Sequence, residues 1–173
     1  MFKRLALAAS AALLLVAPAA AAPEPAPKLE FSKMMGRWYE VARVPNKIQK
    51  GCQAGASEWK QQGQGFSVLQ TCRKGSPDGP VAEWKGKAVV QDPATNAKLK
   101  MSFFGGLVTQ EYLVLDHRPE QGWLIMATSN RKFVWLMSQK PTLNAGVRAA
   151  AVARIRQLGF DTDTLEFPQP ARS

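Results

Sequence analysis

Between residues 81 and 138 the apolar and polar side chains alternate with a period of two. In the segment 98–103, Leu99, Met101 and Phe103 fall on one face and lysine and serine side chains on the other. This period is typical of a β-sheet with one dry and one wet face. The dry faces also contain Gly86 and Ala88, and small residues beside adaptable methionines are consistent with a lined cavity. An ordinary packed core predicts the same alternation.

The chain from residue 36 to residue 138 is divided into short segments by glycine, proline and asparagine clusters at roughly even spacing. Such clusters are typical of turns between strands. Eight consecutive strands with hairpin-length links favour an all-β fold, either a closed up-and-down barrel or a sandwich. The predicted strands are 38–44, 54–60, 66–73, 81–91, 97–104, 111–117, 123–128 and 132–138.

After Pro141 the pattern changes to that of a helix. Asn144 is a typical N-cap residue and Gly159 a typical residue just past a helix C-terminus. We therefore predict a helix over 144–158 that docks its apolar face on the outside of the sheet. Residues 160–167 are compatible with a last short strand, and 169–173 form a tail. The predicted apolar positions of the helix are Val147, Ala150, Ala151, Ala153 and Leu158.

The N-terminus has the pattern of a secretory signal peptide. A basic pair, Lys3 and Arg4, precedes an apolar run and a small-residue segment that ends near Ala22. The apolar run is shorter than the ~20 residues that span a bilayer, so we expect cleavage within 1–22 rather than anchoring. No cysteine precedes Cys52 to accept a lipid, so a soluble periplasmic or secreted product is expected. The Pro/Ala-rich segment 23–33 is expected to be a stiff, extended leader.

Cys52 and Cys72 are the two cysteines of the chain, so they form either one bridge or two thiols. They lie about equally far from the glycine-bearing loop 61–65, and an antiparallel hairpin would bring them together. Because exported proteins pass through oxidising compartments, we expect a disulfide between the second and third strands.

Charge and composition narrow the possible partners. The chain carries 23 Lys+Arg against 13 Asp+Glu, a net charge of +10, which favours anionic partners such as a membrane surface. One histidine and two cysteines exclude a finger-type zinc cluster, and we expect no metal or cofactor. Export, and aromatic residues opposite the lysines, argue against nucleic acid. No nucleophile or phosphate-loop motif occurs, and His117 is expected to be a hydrogen-bonding turn residue, so we expect no enzyme.

Three segments resemble the signature motifs of the lipocalin family, in its bacterial outer-membrane and apolipoprotein D-like branch. Residues 36–43 (GRWYEVAR) are similar to the family's G-x-W motif, and 115–117 (LDH) stand at the place of its T-D-Y motif. The resemblance implies an eight-stranded antiparallel up-and-down β-barrel over 34–168, with one C-terminal α-helix packed outside. Gly36, Trp38 and Asp116 are its motif residues. In the third motif, 136–141, Gln139 replaces an arginine that covers the tryptophan, which predicts a weaker closed end.

The resemblance also implies a function. A barrel of this size holds one small ligand, and we expect a fatty acid or lysophospholipid that is carried or stored in the bacterial envelope. Its anionic head would lie near Lys47 and Lys50. Two alternatives remain open, namely a lipocalin-like enzyme acting on a lipid or isoprenoid and a structural envelope protein with a filled barrel. The alternation predicts eight cavity residues: Trp59, Val68, Trp84, Met101, Phe103, Tyr112, Met126 and Trp135.

Overall fold

The computed structural model describes residues 25–170, which form a closed barrel of eight antiparallel strands. Each strand pairs with the next along the chain, and the last pairs with the first. The predicted up-and-down barrel is therefore confirmed, and the closed ring excludes a sandwich. The elements are α1 (Phe31–Met34), β1 (Gly36–Arg43), β2 (Cys52–Gln62), β3 (Gly65–Lys74), β4 (Val81–Val90), β5 (Lys98–Phe103), β6 (Val108–Arg118), β7 (Trp123–Thr128), β8 (Val134–Ser138) and α2 (Ala145–Gln157).

The strand boundaries deviate most where the turns are tightest. β6 begins at Val108 rather than at 111, because Gly105 and Gly106 adopt positive φ angles of 69° and 100° and reverse the chain at once. β8 begins at Val134 rather than at 132, because Arg131 has a φ of 61° and the chain is still turning there. Both differences come from turn geometry, which the hydrophobic pattern does not record.

The β5 segment alternates as predicted, with Leu99, Met101 and Phe103 buried inside the barrel. β8 departs from simple alternation, because Val134 and Leu136 on its outer face are also fully buried. They belong to a second core between the outside of the barrel and α2. A covered sheet buries both of its faces, so the strands under a helix lose the period of two.

Helix α2 is capped and docked as expected, with a different contact stripe. The Asn144 side chain accepts a hydrogen bond of 2.9 Å from the Gly146 N–H. Ala151 and Ile155 are the buried residues of the helix, and Val147 packs against them at the same spacing of four. The predicted apolar positions Ala150 and Ala153 are wrong, because they lie on exposed faces of the helix.

The segment 160–167 does not form the strand with which it is compatible. Its pairing is a single bridge between Arg43 and Glu166. The Asp161 carboxylate accepts a hydrogen bond from the Asp163 N–H at 2.9 Å, and the Thr164 hydroxyl donates to the Asp161 carbonyl at 2.9 Å. These local bonds favour a turn over a sheet ladder.

The leader packs against the barrel instead of extending away from it. Ala26 and Leu29 are buried, and their N–H groups donate to the carbonyls of Val114 and Thr95, each at 2.7 Å. Residues 31–34 then form the short helix α1, whose Met34 enters the core. The described part of the domain thus begins well before residue 34, because apolar side chains in the leader cover one end of the barrel. The predicted signal peptide 1–22 and positions 171–173 of the tail lie outside the described residues.

The two ends of the barrel are connected by different sets of loops. We call the end covered by α1 the closed end, and the opposite end the open end. Between residues 25 and 170, neither helix is long and apolar enough to cross a membrane. The closed-end loops between strands are 63–64, 91–97 and 119–122, and the open-end loops are 44–51, 75–80, 104–107 and 129–133.

Candidate ligand-binding site

A cavity of about 90 Å³ lies inside the barrel, and a cleft of about 800 Å³ lies at its mouth. Both are lined by Ile48, Gln49, Val108, Tyr112 and Trp135, so the cavity continues into the mouth cleft at the open end. The combination is a blind apolar hole that is reached from one end. This geometry makes it the candidate binding site.

Seven of the eight predicted cavity residues line this cavity, and Val68 does not. Val68 is 1% exposed and lies in the core, where its cross-strand neighbours are Trp59 and Gly86. Alternation identified its inward direction, but its side chain is packed into the core instead of lining the cavity. The seven lining residues are Trp59, Trp84, Met101, Phe103, Tyr112, Met126 and Trp135.

Methionines form an unexpectedly large part of the lining. Four of the six methionines in the chain line the cavity. Met101 and Met126 were predicted, whereas Met34 and Met137 were not. The unbranched thioether side chain changes rotamer easily, so these walls can adapt to a guest of irregular shape.

Polar lining residues were also missed by sequence reasoning, although the sequence contained a signal for them. Glu40 is two residues after Trp38, Ser57 two before Trp59, and Gln70 two after Val68. The period of two places each on the same inward face as its apolar neighbour. All three line the cavity, so one side of an otherwise apolar wall carries hydrogen-bonding groups.

A buried ion pair closes this polar side near the mouth. The Arg43 guanidinium donates to the Glu40 carboxylate at 2.5 Å, to the Glu166 carboxylate at 2.6 Å and to the Cys52 carbonyl at 2.7 Å. The side chains of Arg43 and Glu40 are 2% and 3% exposed. Gly55 makes room for the pair, since a Cβ atom there would overlap the Glu40 carboxylate.

Gln49 connects this ion pair to the aromatic wall. Its amide donates to the Glu40 carboxylate, and its carbonyl accepts from the Trp135 indole N–H at 3.1 Å and from the Asn46 amide. Burial raises the pKa of Glu40 above its ordinary value, and the adjacent Arg43 charge opposes that increase. The network therefore fixes loop 44–51 over the barrel.

The motif tryptophan closes the other end. Trp38 is 1% exposed, and its indole N–H donates to the Met34 carbonyl of α1 at 2.9 Å. The His117 ring contacts it edge to face at a centroid distance of 5.9 Å. Gln139 is exposed, and the contacts to the tryptophan come from α1 and His117.

Two further motif residues have roles that the sequence did not predict. His117 is a strand residue of β6, and its Nε2 has no hydrogen-bond partner among the described residues, which corrects the prediction of a hydrogen-bonding turn residue. The Asp116 carboxylate points outward and accepts from Arg118 at 3.0 Å and from Arg154 at 2.8 Å. Asp116 therefore attaches helix α2 to the barrel wall.

The predicted disulfide between Cys52 and Cys72 is confirmed. It joins the start of β2 to the end of β3, with the two Cα atoms 5.4 Å apart. The bridge is at the open end, next to the loop that Gln49 fixes. Among residues 25–170, no group of three or more His, Cys, Asp or Glu side chains is arranged to hold a metal ion.

A sequence-family model described as a lipocalin-like domain matches residues 29–170 of this chain. The chain belongs to the lipocalin family. It is 27% identical over 147 residues to the outer membrane lipoprotein Blc of Vibrio cholerae, covering 84% of this chain and 85% of that protein. It is 28% identical over 120 residues to mouse apolipoprotein D, covering 66% and 62%. The lipocalin barrel generally binds hydrophobic small molecules, so the cavity described above is the candidate site.

The solved structures agree on the fold. The insecticyanin structure from the tobacco hornworm Manduca sexta superposes with a TM-score of 0.68 at 17% identity, covering 84% of this chain and 82% of that one. At this identity the similarity shows the fold and gives no information about the ligand.

Proposed function

We propose that this lipocalin binds one single-chain lipid with an anionic head, a fatty acid or a lysophospholipid, for carriage or storage. The observation that supports it best is the position of the cavity relative to the charges. An aromatic- and methionine-lined hole opens at the end of the barrel where lysines border the mouth. A guest with an apolar tail and an anionic head matches that polarity.

The tail would occupy the barrel interior. A free volume of about 90 Å³ is below the ~300–1,000 Å³ of ordinary small-molecule pockets. A tail must therefore displace side chains as it enters, and Met101, Met126 and Met137 are suited to this because methionine rotamers interconvert easily. A thin, flexible alkyl chain needs less displacement than a fused-ring guest of the same length.

The head would stay in the mouth cleft. Lys47, Lys50 and Lys132 are exposed residues that line this cleft. Arg43 also lines it, but the guanidinium is already bound to Glu40, Glu166 and the Cys52 carbonyl. We therefore assign the contact with the head to the lysines and a scaffolding role to Arg43.

The proposed location is the bacterial envelope or the surrounding medium. The N-terminal signal pattern and the Cys52–Cys72 disulfide both favour export. The relatives named outer membrane lipoproteins support an envelope location, and for this chain we propose a periplasmic or secreted product.

The experiment is a fluorescence titration with a dansylated undecanoic acid, followed by displacement with hexadecanoic acid. Val108 lines both the cavity and the mouth, so Val108→Trp should obstruct entry. Val89→Trp is the matched control, because Val89 is an exposed strand residue on the outer wall. We expect saturable binding at one site, a loss of about tenfold or more for Val108→Trp, and no change for Val89→Trp.

The same titration separates the alternatives. Absence of saturable binding by the folded protein would overturn the proposal and favour a structural role with a filled barrel. Equal losses in both valine variants would also overturn it, since the probe would then lie on the outer surface. Lipid recovered after incubation should be chemically unchanged, and a converted product would instead indicate a lipocalin-like enzyme.

A further inference from the structure

Exposed apolar side chains collect at the open end of the barrel. Ile48, Phe104, Leu107 and Val108 are all exposed, and Leu107 has 88% of its surface in solvent. They lie in loops 44–51 and 104–107 and at the first position of β6. We call these four residues the open-end tip. Isolated exposed apolar residues are ordinary, but four around one opening form a patch that indicates an interaction surface.

The backbone presents this tip outward. Phe104 has a φ of 52°, a region that bulky residues rarely adopt, and Gly105 and Gly106 follow with positive φ angles. The turn keeps the Phe104 side chain half exposed, although its ring also lines the cavity. Leu107 therefore protrudes from the patch, and the patch is continuous with the mouth. A protruding apolar patch can insert into a deformable surface, whereas it offers no groove for a partner segment.

The charges of the loops differ between the two ends. The open-end loops contain Lys47, Lys50, Arg131 and Lys132 against a single acid, Asp78. The closed-end loops between strands contain two acids, Asp92 and Glu120, and no basic residue. Lysines around an apolar tip complement a surface with anionic groups above an apolar layer.

We propose that the open-end tip inserts into the interfacial layer of an anionic phospholipid bilayer, with Lys47, Lys50 and Lys132 on its phosphate groups. Ile48, Phe104 and Val108 also line the cavity, so insertion turns the mouth toward the acyl chains. A single-chain lipid would then pass between bilayer and barrel without crossing water. This transfer step rests on the proposed function, whereas the docking itself does not.

Flotation with phospholipid vesicles tests the docking. The full chain is expressed and recovered from the envelope fraction, and mass spectrometry defines its N-terminus, which is then the same in every variant. The vesicles are phosphatidylglycerol mixed with phosphatidylcholine, compared with phosphatidylcholine alone. We expect partitioning onto the anionic vesicles that weakens as salt is added.

The apolar variant is Phe104→Asn combined with Leu107→Asn. Asparagine tolerates the positive φ at 104, and Leu107 is almost fully exposed, so the barrel should stay folded. Val89→Asn on the outer wall is the matched control. We expect the partition coefficient of the double variant to fall by about tenfold or more, because two apolar side chains no longer leave water on binding. The control should behave like wild type.

The charge variant is Lys47→Gln combined with Lys50→Gln. Its control, Lys100→Gln combined with Lys140→Gln, removes the same charge from exposed positions away from the mouth. We expect about a fivefold loss per mouth lysine and a much smaller loss for the control. Equal losses in both pairs would overturn the proposal, because they would indicate unoriented attraction of a basic protein.

Two further results would overturn the docking. One is partitioning of the Phe104→Asn, Leu107→Asn variant equal to that of wild type. The other is a wild-type dimer in sedimentation that this variant converts to monomer without any vesicle binding, which would make a second copy the occupant of the tip. Titration of Leu107→Asn with the dansylated fatty acid in lipid-free buffer reports on the cavity alone, so failure of docking and failure of ligand binding are distinguishable.

Discussion

The closed and open ends of this barrel are built from opposite kinds of interaction. At the closed end, Trp38 is almost fully buried in the apolar barrel core, which also contains Leu99 and Leu124. At the open end, a buried ion pair, a disulfide and exposed apolar loops surround the cavity. Apolar packing stabilises the fold without a specific partner for each side chain, whereas a buried charge stabilises it only while its oppositely charged partner stays in place.

The difference indicates a division of roles between the two ends of the barrel, with stability at the closed end and binding at the open end. The closed end is stabilised by apolar packing, whereas the open end retains features that are unfavourable for folding. These features, such as Leu107 in solvent and Phe104 at positive φ, lie where a guest or a membrane would meet the protein.

The largest expected effect is at the closed end. Trp38→Ala removes a fully buried indole and its hydrogen bond to the Met34 carbonyl, so the free energy of unfolding should fall by about 4 kcal/mol. Urea unfolding followed by circular dichroism measures this. Trp84→Ala, at a half-buried position on the cavity wall, should cost less stability and weaken fatty-acid binding more. Equal stability losses in the two variants would contradict the division.

The next effect is at the ion pair. Arg43→Met leaves the Glu40 carboxylate buried without its cation, and should cost about 3 kcal/mol. Combining it with Glu40→Gln should recover part of the loss, since the uncompensated charge is removed. A single variant within about 0.5 kcal/mol of wild type would show that the pair is not structural.

The Arg43→Met penalty should also depend on pH in a defined direction. Burial raises the pKa of Glu40, so the folded chain retains a proton that the unfolded chain has already lost. Such a group loses stability as pH rises from its unfolded pKa to its folded pKa. Without the opposing Arg43 charge this window widens, so the penalty should be smaller at about pH 5 than at about pH 8.

The disulfide should contribute somewhat less. Cys52→Ser combined with Cys72→Ser removes a bridge that spans a sequence separation of 20, and the expected cost is about 2–3 kcal/mol. Because the bridge is at the open end, fatty-acid affinity should fall along with the unfolding midpoint. Loss of stability with unchanged affinity would show that the bridge does not hold the mouth.

The smallest effect concerns His117. Burial lowers the pKa of this histidine, and the Lys33 charge adds to the decrease while Glu120, Asp116 and Glu30 oppose it. The unfolded chain therefore takes up the proton first as pH falls below about 6.5, and the folded state loses stability there. His117→Phe keeps an aromatic ring against Trp38 and removes the titration. The slope of unfolding free energy between about pH 7 and pH 5 should be flatter in this variant, and an unchanged slope would contradict the assignment.

Much of the architecture was predictable from local patterns. Alternation gave the inward residues of β4 and β5, and the period of two at Glu40, Ser57 and Gln70 would have given the polar side of the cavity as well. The signature at Trp38 pointed to the closed end, where its indole N–H donates to the Met34 carbonyl of α1. These features depend on neighbours a few residues away in the sequence, so one chain is enough to predict them.

The remaining features depend on contacts between distant segments. The packing of Ala26 and Leu29 against the barrel and the bond from Arg43 to Glu166 join parts of the chain that no short pattern relates. The width of the cavity is of the same kind, since it is the space left after every inward side chain has found its rotamer. A sequence pattern gives the direction of each side chain, but it does not give the volume that the side chains leave empty.

The most direct test of the central claim is a crystal structure with 16-bromohexadecanoic acid, in which the anomalous signal of bromine marks the end of the tail. We expect one bromine peak inside the barrel, between Met101, Trp84 and Trp38, with the carboxylate in the mouth cleft near Lys47 or Lys50. A bromine peak on the outer wall, or a barrel interior unchanged at saturating ligand, would contradict it.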